Sequence, residues 1–273
     1  MLITAGYEIG FATDHETPMM ATLSIHPSRN HDLRSIQRMI TVPEVPLYDY
    51  IDSFGNVCTR LIIPAGGITL SSRFVIEDSY LPDLVAPDVR ATPVVDLPDE
   101  VLVYLLGSRY CETDRLGEIA WSLFSGYTPG WEQVQAIVTY THQRIRFGYE
   151  HARATKTAWE AYQEQQGVCR DFAHLAIALC RCMNIPARYC TGYIGDMDLP
   201  EPAGEIDFSA WFEAYLDGHW YTFDARHNRP RRGRLLMARG RDATDAALTT
   251  TFGLADLTRF KVVTAKADDE QAY

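Results

Sequence analysis

A chain of 273 residues, 47% apolar and 22% charged, can hold two domains and has the make-up of a soluble globular protein. Its formal charge of −11 argues against a nucleic-acid partner, because phosphate backbones select basic surfaces. No run approaches the ~20 apolar residues of a membrane span, and the first residues lack a basic stretch followed by an apolar one of signal-peptide length.

A cytoplasmic location with reduced thiols is therefore expected. The six cysteines (Cys58, Cys111, Cys169, Cys180, Cys182 and Cys190) include no CxxC pair and no paired histidine spacing, so no metal and no cofactor are expected.

Residues 1–80 read as strands and turns. Tyr7, Ile9 and Phe11 alternate with smaller or polar residues, as do Ala21, Leu23 and Ile25. Residues 48–51 and 57–63 flank a Ser-Phe-Gly-Asn turn, and Gly66-Gly67 precedes another alternating run over 68–78. Short strands with regular turn signals predict an antiparallel, sandwich-like β domain. Residues 81–100, with Pro82, Pro87, Pro93 and Pro98, read as a linker. Helical patterns follow over 100–106, 113–124, 131–145 and 155–166. A second domain is expected over 101–265, with 266–273 a solvated tail.

Gly167-Val168 breaks the pattern before a helix in which Phe172, Ala176, Leu179 and Met183 form one stripe. Cys169 thus falls in the first helical turn, where unpaired N–H groups and the positive end of the dipole favour thiolate. The same amides could hold an oxyanion formed when that thiolate attacks a carbonyl. A core cysteine at a helix start is the plainer alternative. Residues 187–194 then read as a strand, 195–206 as a loop with Pro200 and Pro202, and 207–228 as a hairpin turning at Asp217-Gly218. A helix laid on an antiparallel sheet, with a thiol at the junction, suits Cys/His/Asp chemistry.

Gly167-Val168-Cys169-Arg170-Asp171-Phe172-Ala173-His174, with Asn184-Ile185-Pro186-Ala187-Arg188-Tyr189, Gly192-Tyr193, Ala210-Trp211-Phe212-Glu213 and Trp220-Tyr221-Thr222-Phe223-Asp224, resembles the transglutaminase-like superfamily over about 155–241. The resemblance implies an α+β, papain-like core preceded by an antiparallel β domain. It also implies thiol chemistry on peptide or protein amides through an acyl-thioester, with hydrolysis of peptide or isopeptide bonds favoured over crosslinking. The family's nucleophile falls on Cys169 and its triad aspartate on Asp224. Its histidine position, immediately before Ala210-Trp211, is Ser209 in this chain.

A hydroxyl has no pKa near neutrality and cannot exchange the proton as an imidazole does. With Leu216 opposite His219 across the turn, Trp211 pairs with Asp224, which places Ser209 and Asp224 on one face. His219 sits at the turn, roughly 17 Å along the strand from Asp224. His174 lies about 140° round the helix from Cys169 and reads as a core or backbone-binding residue. His151 has no derivable constraint.

His227 remains the provisional base, conditional on a turn after Asp224. Arg226 to Arg234 form a basic stretch that either pairs with acidic residues or recognises an anionic group. Asp171 orients a site hydrogen bond or stabilises the first helical turn; Trp159 and Trp211 line a cleft or belong to the core. Glu213 shares the Ser209 face and could pair with an arginine. The rival reading is a catalytically silent binding module that lacks the family histidine.

Overall fold

The computed structural model describes residues 1–195 and 207–267; the expected loop over 195–206 and the tail over 266–273 lie largely outside them. Six strands come first: β1 (Leu2–Ala12), β2 (Thr17–Ala21), β3 (Ile40–Val42), β4 (Tyr48–Ile51), β5 (Val57–Ile63) and β6 (Ile68–Glu77). The helical region holds α1 (Asp99–Leu102), α2 (Thr113–Phe124), α3 (Trp131–Arg144), the short strand β7 (Arg146–Phe147), α4 (Ala158–Glu164), the short strand β8 (Gln166–Gly167) and α5 (Cys169–Cys182). Six strands complete the chain: β9 (Ala187–Ile194), β10 (Ser209–Leu216), β11 (His219–Phe223), β12 (Arg234–Gly240), β13 (Thr249–Thr251) and β14 (Asp256–Lys266). This is the α+β arrangement expected, an antiparallel β region followed by a helical core with its own antiparallel sheet.

Two four-stranded sheets, in the orders β14-β1-β6-β3 and β13-β2-β5-β4, make up the N-terminal sandwich. The expected core boundary at 265 needs correction here. β14 pairs along the whole of β1, from Ile3↔Lys266 to Ala12↔Asp256, and β13 pairs with β2, so 249–266 build the N-terminal sheets. The reason is the backbone: the side chains of β14 are mostly exposed, so its ladder rather than an apolar stripe holds it in place. Residues 21–25 also differ from expectation. β2 ends at Ala21, and Leu23 and Ile25 alternate inward without continuing the ladder.

The third sheet, β11-β10-β9-β12, carries the core. Ala187, Tyr189, Ala210, Phe212, Ala214, Leu216 and Ala238 share one apolar cluster with Phe172, Ala173, Ala176 and Leu179 of α5. Tyr193, Leu235 and Met237 join the sandwich core instead, together with Phe208 just ahead of β10. The sheet is therefore covered on both faces, by helix on one and by the N-terminal domain on the other. The expected linker threads across the core. Trp131 donates its N–H to Val89 O at 2.9 Å, and Asp83 donates to Arg231 O at 2.9 Å.

Truncation after residue 253 tests the correction. Removing β14 leaves β1 with one open edge along its length, so the shortened chain should lose its cooperative melt or associate through that edge. Circular dichroism and size-exclusion chromatography report both, and an unchanged melting midpoint in a monomer would refute the pairing.

Candidate active site

The approach to Cys169 is fixed by a set of backbone locks. Thr157 and Glu160 form a capping box that starts α4: Thr157 Oγ1 accepts from the Glu160 N–H at 3.3 Å, and Glu160 Oε2 accepts from the Thr157 N–H at 2.9 Å. Gln165, at φ 54°, ends that helix. β7 and β8 then pair in parallel, with Gly148 donating to Gly167 O at 3.1 Å. Lys156, almost fully buried, ties Gln166 O at 2.9 Å and Glu164 Oε2 at 3.0 Å.

Gly167 lets the next turn close, since a Cβ there would fall 2.5 Å from Asp171 Oδ2. Asp171 accepts from the Val168 N–H at 2.9 Å and from Arg170 at 3.3 Å, with its side chain wholly buried. Its carboxylate thus stabilises the first turn of α5, half of a capping box that Val168, having no acceptor, cannot complete.

Cys169 opens α5 as a half-buried free thiol. Burial pushes the thiol up to about 11, against the pull of the Arg226 guanidinium and of the nearby Ala210 backbone N–H. Asp207 and Asp171 push the same way as burial. Arg226 is held by its stack on Phe147, 3.6 Å from the ring centroid, and its carbonyl accepts from His142 Nδ1 at 2.8 Å.

At the end of the hairpin, the turn after Asp224 closes. Asn228 donates its N–H to Asp224 O at 2.8 Å, and His227 donates its own N–H to Asp224 Oδ1 at 3.0 Å. His227 Nδ1 lies 2.9 Å from Asp224 Oδ2. An ionised carboxylate only accepts, so Nδ1 carries the proton and Nε2 is the basic nitrogen, which has no partner among the described residues. The same Oδ2 accepts from Arg234 Nη2 at 3.1 Å.

Burial alone would push Asp224 up. The His227 hydrogen bonds and Arg234 reverse this and hold its carboxyl well below the usual carboxylate range. Burial pulls His227 below the ordinary imidazole value despite Asp224, and Arg231 and Arg226 add to that fall.

Ser209 occupies its strand position opposite Gly192, with its carbonyl accepting from Thr191 Oγ1 at 3.1 Å. Trp211 is buried beneath the Arg234 guanidinium, 5.0 Å from its ring centroid. Trp159 stacks on Tyr162 and carries Arg115 on its face. Glu213 pairs with Arg188 at 2.6 Å.

His174 is fully buried, stacked on Tyr110, and accepts the Ala243 N–H at Nε2; burial lowers it to about 3. His219 sits at the turn with Nδ1 against Asp217 O at 3.0 Å, and His151 lies beside Glu150. Sequence reading did not single out Arg234 or Asp83. The arginine lay in a noted basic stretch, while nothing local marks Asp83 as its partner. A cavity of about 150 Å³ borders Asp224 on the side of α3 and the linker, lined by Trp131, Val138 and Phe223. Cys169 is not part of its lining, so the cavity backs the Asp224 turn and does not mark the thiol.

A thiol at the start of a helix packed on an antiparallel sheet, followed by an Asp/His couple just after the sheet's edge strand, is the order of elements of a papain-like class of protein. Residues 118–225 match the Transglutaminase-like superfamily, and the chain carries a core of that superfamily. An uncharacterized protein of Mycobacterium leprae is 26% identical over 222 residues, 78% of each chain. The crystal structure of a candidate cysteine protease from Cytophaga hutchinsonii is similar over 98% of this chain and 91% of that one, at 29% identity and a TM-score of 0.83.

Replacing Asp224 by Asn should cost about 1.5–3 kcal/mol, because Arg234 keeps Asp83 but loses its second carboxylate, and the His227 turn loses its charged acceptor. Urea unfolding measures it. The depressed folded value also sets a sign: the carboxylate's contribution is present above the unfolded value of about 3.9 and is lost as pH falls below it. Wild type and Asp224→Asn should therefore converge in stability in acid, and a difference that grows as pH falls would contradict the ion-pair assignment.

Proposed function

We propose that the protein is a thiol enzyme that hydrolyses amide bonds in peptides or proteins, with Cys169 as nucleophile, His227 as base and Asp224 as its orienter. The observation that carries this reading is the Asp224–His227 couple, which supplies an oriented imidazole where the family resemblance would put Ser209 at the histidine position. The superfamily core and the likeness to a candidate cysteine protease support the reaction class.

With the thiol raised and the imidazole lowered, the resting pair is neutral. Attack then proceeds by general-base catalysis: the Cys169 proton passes to His227 Nε2 as sulfur bonds the carbonyl carbon. The first-turn amides of α5 face the developing oxyanion. His227 returns the proton to the leaving nitrogen as the C–N bond breaks, leaving a thioester and a free amine. Water, deprotonated by the same imidazole, releases the acid and restores the thiol.

One observation favours the silent-module reading, namely the thiol held up to about 11 by burial. Incubation with quenched peptide libraries and with glutaminyl peptides, followed by cleavage and ammonia release, separates the two. Cys169→Ala should abolish turnover, and His227→Ala should lower it by about 10²–10⁴-fold. No cleavage, no ammonia and no Cys169-dependent acyl adduct would reject the enzyme reading.

The pH profile gives a second check. The base works as neutral imidazole, and burial lowers its value, so the acid limb of kcat/KM should have its midpoint below about 6.5. A limb centred above that value would mean that another group is the base.

A further inference from the structure

The Asp224 carboxylate does not serve His227 alone. Its Oδ2 accepts from His227 Nδ1 at 2.9 Å and from Arg234 Nη2 at 3.1 Å. A guanidinium on that oxygen draws away the negative charge that would otherwise stabilise an imidazolium. Behind Arg234 stands a second carboxylate, Asp83, whose two oxygens lie 2.9 and 3.0 Å from Arg234 Nε.

Asp83 is itself fixed. It donates its N–H to Arg231 O at 2.9 Å and accepts the Arg231 N–H at 2.8 Å, closing a ring with the segment that leads into β12. The Asp83 and Arg234 side chains are about one-tenth exposed, so their charges are poorly screened. The stack of Arg234 on Trp211 fixes the guanidinium plane between the two carboxylates.

We propose that Asp83, in the segment joining the two domains, is a positioning residue for the His227–Asp224 couple: it holds and neutralises Arg234, leaving Asp224 able to polarise the imidazole. The functional consequence rests on His227 being the base; the electrostatic coupling does not. The charged groups acting on His227 are Asp224, Arg226 and Arg231 of its own segment; Arg234 of β12 reaches it through Asp224, and Asp83 of the linker through Arg234. From α3, His142 holds the Arg226 carbonyl, and the neutral Gln135 holds Asn228 at 2.8 Å.

The test is an NMR titration of the His227 ring in the isotope-labelled full chain, which needs no turnover and so stands apart from the test of Cys169 chemistry. Asp83→Asn should lower the His227 midpoint by about 0.5 to 1 pH unit, because Arg234 then bears fully on Asp224. Arg234→Gln should raise it. Asp83→Glu, which keeps the charge, and Asp88→Asn, an exposed linker carboxylate, should stay close to wild type.

Where turnover is measurable, the acid limb of kcat/KM should move with the titration. An Asp83→Asn midpoint equal to that of Asp88→Asn overturns the proposal. So does an Arg234→Gln midpoint that is unchanged or lowered, which decides the matter even if Asp83→Asn fails to fold.

Discussion

Close packing of α5 on the sheet sets the position of everything around Cys169. That contact sets small residues among large ones: Ala173 and Ala176 on the helix and Ala187, Ala210, Ala214 and Ala238 on the sheet lie among Phe172, Leu179, Tyr189, Phe212 and Leu216. Small side chains let helix and sheet backbones approach, and dense packing leaves little freedom for the helix to slide. That approach brings the first turn of α5 against the start of β10, where the Ala210 N–H lies near the sulfur. A larger side chain at Ala210 would move the whole helix, and with it the thiol, away from the edge of β10. The apolar contact and the polar one are therefore a single geometric constraint.

The second constraint is electrostatic and crosses the domain boundary. Asp83, Arg234, Asp224 and His227 form a chain of alternating partners, most of it buried. A buried charge without its partner costs several kcal/mol, so each member is held by its neighbours more than by its own backbone. The arrangement also leaves Arg234 Nη1 buried without a hydrogen bond, a cost that the two carboxylates must outweigh. It explains why the linker, though rich in proline and without regular structure around Asp83, follows a defined path over the core.

Much of this was legible in the sequence, and the reasons are local. Asp217 and Gly218 both adopt positive φ, as a two-residue hairpin loop needs, so the turn fixed Leu216 opposite His219. Counting from there placed Trp211 opposite Asp224, one step beyond the last observed pair, Phe212↔Phe223. The limits of α5 and β9 followed from a glycine break, an apolar stripe and the Asn184-Ile185-Pro186 stop. β14 was not legible, because few of its side chains are buried and a strand held by its ladder leaves little periodic signature. The partnership of Asp83 and Arg234 joins residues far apart in the chain through charge alone, and no spacing rule reaches that distance.

The origin of the imidazole matters more than its presence. A histidine at the Ser209 position would be anchored by strand pairing on β10, with Asp224 needed only to orient its ring. His227 has no strand to hold it. Asp224 therefore supplies both anchors, binding the backbone N–H through Oδ1 and the ring through Oδ2, while the Asn228 N–H closes the turn on the Asp224 carbonyl. Gln135 of α3 adds a further tie through the Asn228 side chain. In the proposed mechanism this concentrates backbone placement and ring polarisation in one carboxylate. The couple can then stand on a turn, provided that Oδ2 is not claimed entirely by Arg234, and what limits that claim is the carboxylate on the far side of the guanidinium.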